Sequence, residues 1–175
     1  MQASRPIISW LAGGLLFGLA GLSSATETRR VAVLDFELND LAGITPTPPP
    51  ELERTASVAP LLRDALSRIG RYTVISIDPG ATAEANHGFG YLFDHADEAA
   101  RLGSQAGADI VVVGRVHKPS FLFAYLKVHV IDVAGARLIG DHVVEVKGQT
   151  KLATERGVAR MAEQIDQTLD RATTR

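Results

Sequence analysis

Hydrophobic positions along this chain follow two periods, and each change of period marks a new element. Val31-Ala-Val-Leu34 is continuously apolar and closes on Asp35-Phe36, the pattern of a short buried strand. Residues 38–50 break that pattern and end in Thr45-Pro-Thr-Pro-Pro-Pro50, which predicts an extended surface loop. Val58, Leu61, Leu62, Ala65, Leu66 and Ile69 then recur at helical spacing, so one face of a helix is apolar. Gly70 stands just past it, where a helix end favours glycine. Tyr72 to Ile77 alternates with β-branched residues and predicts a second strand, and Asp78-Pro79-Gly80 turns the chain.

Ala81 to Gly90 carries no clear period. A second helix is expected from about Asp94 to Ala106, packing closely through Ala99, Leu102, Gly103 and Ala106. Ile110-Val-Val-Val113 is apolar on both faces, as a central strand must be, and runs on to about His117. Two further strands follow, Phe121 to Asp132 and Arg137 to Lys147, joined by a hairpin at Val133-Ala-Gly-Ala136. A last helix, Leu152 to Arg171, turns Val158, Met161, Ile165 and Leu169 inward. The order β-α-β-α-β-β-β-α predicts a single α/β domain with a five-stranded mixed sheet. Right-handed crossovers make its first three strands parallel, in the order 2-1-3, with the first two helices on opposite faces.

The amino terminus is of another kind. Arg5 precedes an apolar run from Ile7 to Leu22, closed by Ser23-Ser24-Ala25. A positive flank, a short apolar core and small residues before the break are what a secretory signal requires. Residues 1–25 are therefore expected to be a cleaved leader, and 26–175 a periplasmic domain. No cysteine is present, which excludes disulfides, thiolate metal sites and the cysteine-borne lipid anchor of lipoproteins. The net charge of −2 comes without any basic stripe, so nucleic acid is not an expected partner.

Arg30-Val-Ala-Val-Leu-Asp-Phe36, Gly107-Ala-Asp-Ile-Val-Val-Val-Gly114 and Val130-Ile-Asp-Val-Ala-Gly135 fall in a familiar succession. Over residues 29–170 the chain resembles a family of small exported proteobacterial proteins of uncharacterised function. In layout it resembles, more distantly, the amino-terminal domain of TolB. It also resembles the periplasmic domains of the curli-secretion lipoprotein and of lipoproteins that activate penicillin-binding proteins. The resemblance implies an envelope domain that binds other proteins. Cysteines often found in the family ahead of the second helix are replaced here by Tyr91-Leu-Phe-Asp-His95.

Candidate chemistry is sparse. In an open α/β sheet, ligands settle beyond the carboxyl ends of the parallel strands. That rim carries Asp35, Glu37, Asp78 and His117, which could hold a small ligand or a hard cation. His117, His129 and His142 fall on successive strands, but side-chain parity keeps them from converging on a zinc ion. Gly88-Phe-Gly90 lacks the third glycine of a dinucleotide fingerprint, and neither a phosphate loop nor a nucleophile elbow is present. No cofactor is expected. Phe121, Phe123 and Tyr125 share one face of a strand and form a candidate partner-binding stripe, with the proline-rich loop as a second contact. The expected function is a non-catalytic interaction or accessory module of a cell-envelope complex or exported oxidoreductase system. The alternative is a ligand- or metal-binding protein built on the rim, and the oligomeric state is open. Amino-terminal sequencing of the exported protein should begin within a few residues of Thr26; full-length protein recovered from the cytosol would contradict the leader.

Overall fold

The computed structural model describes residues 28–173, and the expected leader lies outside them. Six strands and five helices follow one another: β1 (Arg29–Val33), β2 (Glu37–Asp40), α1 (Pro49–Ile69), β3 (Tyr72–Ile75), α2 (Pro79–Ala85), α3 (Tyr91–Asp94), α4 (Ala96–Gln105), β4 (Ile110–Lys118), β5 (Phe123–Asp132), β6 (Arg137–Lys147) and α5 (Lys151–Thr173). The sheet order is β3-β1-β4-β5-β6, with β2 also paired to β4. β1 is parallel to β3 and β4, and the β5–β6 hairpin extends the sheet antiparallel. This is the predicted α/β domain with one strand and two short helices added.

The added strand corrects the reading of residues 38–50 as loop. Val33 sits opposite Val112, but Glu37 sits opposite Arg115, so the chain uses one residue more than β4 over the same stretch. That bulge reverses side-chain parity. Phe36 and Leu38 consequently join Val31 and Val33 on one face instead of pointing away from them. Gly114 makes room: a Cβ there would lie 2.2 Å from the Phe36 ring.

Two cores result. On face one, α1 and α5 cover Val31, Val33, Val112, Val128 and Val130, with Leu62, Leu66, Met161 and Ile165 pressed against them. On face two, α2, α3 and α4 cover Ala32, Leu34, Val111, Val113 and Ile131. α2 occupies the first half of the stretch that showed no period and buries Ala85 there, and α3 follows directly after it and buries Leu92 and Phe93. The expected close packing of α4 holds, since a Cβ on Gly103 would meet Val111 at 2.2 Å. A bulge in β6, where Val130 faces Gly140 and Ile131 faces Leu138, parts Leu138 from the face that carries His142, Val144 and Val146.

Helix length decides what each layer can cover. α1 and α5, of 21 and 23 residues, are about 30–35 Å long and match a ten-residue strand of about 33 Å. α4 has 10 residues, so it reaches only about 15 Å. Face two is thus half covered. α1 is locally well specified: Pro49 and Pro50 open it where no amide hydrogen is needed, Glu51 meets its positive end, and Gly70 closes it at φ 77°. Leu62→Ala, at a fully buried site, should lower stability by about 2–5 kcal/mol in urea unfolding. An unchanged midpoint would mean that α1 does not pack through this face.

Candidate partner-binding surface

The four rim residues take separate positions. Asp35, on the segment between β1 and β2, pairs with Arg63 of α1 at 2.8 Å. Asp78 caps α2 by accepting from the Ala81 amide at 2.9 Å. Glu37 lies within β2 and accepts from the Gly90 amide at 2.8 Å and from Asn86 at 3.3 Å. His117 lies within β4, where Asn39 bonds its Nδ1 at 3.2 Å. A cleft of about 380 Å³ does open at the carboxyl ends of β1 and β3, lined by Asp35, Arg63, Ser76 and Asn86, without Glu37, Asp78 or His117. Among the described residues, no three acidic or histidine side chains gather as a metal site.

The histidines stay apart: parity parts His142 from the other two, and distance along the sheet parts His117 from His129. His129 stacks on Phe93 with ring centres 3.8 Å apart, and its Nδ1 meets the Phe93 carbonyl at 2.9 Å. His142 is on face one against Thr168 of α5, at 3.0 Å, and burial there lowers its pKa below the usual imidazole value. His117 shares face two with His129 but stands four residues along the sheet, opposite Tyr125, whereas His129 is opposite Val113.

The aromatic stripe falls on the part of face two that no helix reaches. The helical cover ends at the Phe93–His129 stack. Beyond it, Phe123 and Tyr125 are half-buried and belong to neither core; they touch each other edge to face at 5.5 Å, and His117 lies over Tyr125 at 6.3 Å. Phe121 precedes β5 instead of opening it and is exposed, with Leu122 beside it 75% exposed.

This stripe runs into an apolar pole. Of the nine large hydrophobic side chains exposed among the described residues, Leu41, Ile44, Leu52, Phe121, Leu122 and Leu152 lie at the end of the molecule where β2 and β4 finish and α1 and α5 begin. Contacts tie these turns together. The Leu41 amide donates to the Lys118 carbonyl at 2.8 Å, Gly148 donates to Leu122 at 2.8 Å, and Gln149 donates to Phe121 at 2.9 Å. The proline-rich loop is part of this end, and a groove of about 600 Å³ lined by Pro50, Pro60, Leu61 and Lys151 opens beside it.

Beneath the pole is a buried charge network that sequence reasoning missed. Lys118 Nζ lies 3.1 Å from Asp40 and 2.9 Å from Glu51, and Glu51 also pairs with Arg54. All but Arg54 are under a tenth exposed, and Arg54 is little more. Burial alone would lower the Lys118 pKa; its bonds to Glu51 and Asp40 outweigh that and raise it. Nothing in the spacing of residues 40, 51 and 118 distinguishes them from surface charges, so no local pattern announces the network.

The architecture is one shared with known proteins of low sequence identity. TolB from Acinetobacter baumannii superimposes with a TM-score of 0.53 at 17% identity, over 82% of this chain and 28% of that one. The LpoB C-terminal domain from Escherichia coli gives 0.50 at 15%, over 73% and 89%. The PelC dodecamer from Paraburkholderia phytofirmans gives 0.50 at 13%, over 78% and 85%. The likeness to TolB and to an activator-lipoprotein domain, expected from the strand motifs, thus holds at the level of the fold. The chain itself belongs to the family described as protein of unknown function (DUF2380), which it matches over residues 29–165. No curated protein matches it in sequence.

Because Lys118 joins two strands to α1, Lys118→Ala would leave Asp40 and Glu51 buried and half-neutralised. It should cost about 3–5 kcal/mol in chemical unfolding, as breaking a buried pair does. A change below about 1 kcal/mol would mean that water reaches the network freely.

Proposed function

We propose that this protein is a non-catalytic, periplasmic interaction module of a cell-envelope complex, and that it docks through the aromatic stripe and the adjoining pole. The observation that carries this reading is the gathering of exposed large hydrophobics at one end, continuous through Phe121 with Phe123 and Tyr125. Contiguous exposed apolar patches of this kind mark partner surfaces. Two candidate contacts met separately in the sequence, the stripe and the proline-rich loop, lie on the same end. The resemblance to envelope proteins, and the shared fold with TolB and the LpoB domain, support an envelope setting. PelC, which shares the fold, is a dodecamer, so self-assembly is the reading to separate from binding of a different chain. No helix among the described residues is long and apolar enough to cross a membrane.

A photo-crosslinking amino acid at Phe121 or Tyr125 should yield a discrete adduct with another envelope protein in intact cells. The same group at exposed Arg156, on α5, should not. Phe123→Ala should leave the thermal melt nearly unchanged while weakening the adduct at least about tenfold, as loss of an aromatic anchor does. A collapsed melt would make Phe123 part of the core; an adduct with a second copy alone would make the surface a self-assembly contact.

A further inference from the structure

The open half of face two carries an imbalance of charge that the fold leaves in place. Arg115 of β4 and Lys127 of β5 are direct cross-strand neighbours, an arrangement of like charges that destabilises a sheet. Arg115 is compensated within the domain. It is held between the Phe89 and Phe93 rings, 4.8 and 4.5 Å from their centres, with Glu37 and Asp94 at 3.7 and 3.9 Å. Lys127 has no such compensation: among the described residues no carboxylate lies within ion-pair distance of it. Of the acidic groups on the next strand, Glu145 lies 3.6 Å from Lys147, and Asp141 lies 3.7 Å from the His129 ring and not within ion-pair distance of Lys127.

His117 feels the same field. Burial lowers its pKa first, and the two charges that lower it further are the cations Lys127 and Arg115. Its hydrogen bonding also leaves a donor free. The Asn39 amide nitrogen can only donate, so Nδ1 of the ring accepts and the ring proton sits on Nε2. A cation and an imidazole N–H therefore stand side by side on the sheet, next to the apolar surface of Phe123 and Tyr125.

We propose that this face takes an acidic, extended segment of a protein partner, one carboxylate lying between His117 and Lys127 and alternate apolar side chains lying on Phe123 and Tyr125. The inference rests on the docking role proposed above and names the chemistry of what docks. A free anion would satisfy the charge but leave both rings in water, whereas a strand-like segment presents side chains to one face at every second residue. A nucleic-acid backbone fits poorly, because it carries a charge at every nucleotide and those beyond the first would meet Asp94, Asp141 and Glu145. A peptide can place a single carboxylate between His117 and Lys127 and uncharged side chains against the rest.

The test is an NMR titration of the ¹⁵N-labelled, purified protein with a synthetic peptide that carries leucine, glutamate and leucine at every second position with serines between them, and with its glutamine-for-glutamate analogue. The acidic peptide should shift Asn39, His117, Tyr125 and Lys127 and bind at least about fivefold more tightly than the neutral one, the scale of one partly exposed charge pair. Lys127→Gln should remove that preference while leaving the amide spectrum of both cores in place. Equal binding of the two peptides at this face would overturn the acidic assignment and leave the docking surface standing. Absence of any shift there with either peptide would overturn both, and tighter binding of a poly-uridine probe would overturn the choice of a peptide.

Discussion

The constraint on which the rest of the structure depends is the mismatch between the long strands and the short helices laid across one side of them. β4 is apolar on both faces and central, so it must be covered twice. Face one meets that demand with two helices as long as the strands. Face two meets it with three short helices, of 7, 4 and 10 residues, the longest of them packed on the amino end of β4 and the carboxyl end of β5. Valines at 111 and 113 lie under this cover, and the same strand changes at 115 and 117 to arginine and histidine, where the cover stops. β5 changes in step: Ile131 is buried, His129 stacks at the boundary, and Lys127, Tyr125 and Phe123 lie beyond it. The composition of the strands thus records where the helices end.

The pole gains rigidity from a different source. Loop ends and helix starts are ordinarily the least stable parts of a domain. Here the last residue of β2, the last residue of β4 and the first turn of α1 are joined by Asp40, Lys118 and Glu51 in a buried cluster that Arg54 brings into charge balance. Such clusters give little net stability compared with an apolar core, yet each member is costly to remove alone. Their effect is to fix geometry. Leu41, Leu52 and Phe121 adjoin these three anchors in sequence or in space, and the Phe121 ring lies 5.4 Å from Lys118 Nζ. An apolar surface presented on so firm a base can meet a partner without first being ordered, which lowers the entropic cost of docking.

Much of this was legible in the chain. The apolar face of α1 from Val58 to Ile69, the glycine that ends it and the place of His142 on the face opposite His129 follow from period and parity, which are local properties, and the strand order follows from the handedness of the crossovers. What was not legible came from contacts between distant residues. β2 has a single apolar residue in Glu37-Leu-Asn-Asp40, and its place depends on a bulge that sets the Phe36 ring over Gly114. α2 and α3 are too short to show a helical period, so the residues replacing the family's cysteines read as a gap until Leu92 and Phe93 were seen to be core. The rim looked like a site because four charged or polar residues share one edge in topology. In three dimensions Asp35 and Asp78 serve a helix each, Glu37 binds backbone, and His117 belongs with the aromatic stripe.

The central claim is that the uncovered half of face two is exposed in the isolated protein and occupied in the cell envelope. Hydroxyl-radical footprinting read by mass spectrometry tests both halves at once, on purified protein and on protein labelled within intact cells. The account predicts that Phe121, Phe123 and Tyr125 are oxidised readily in the purified protein and become protected in the envelope, while Met161 and Phe36 stay unreactive in both. Equal oxidation of the three aromatics in the two settings would contradict it, and so would their protection in the purified monomer.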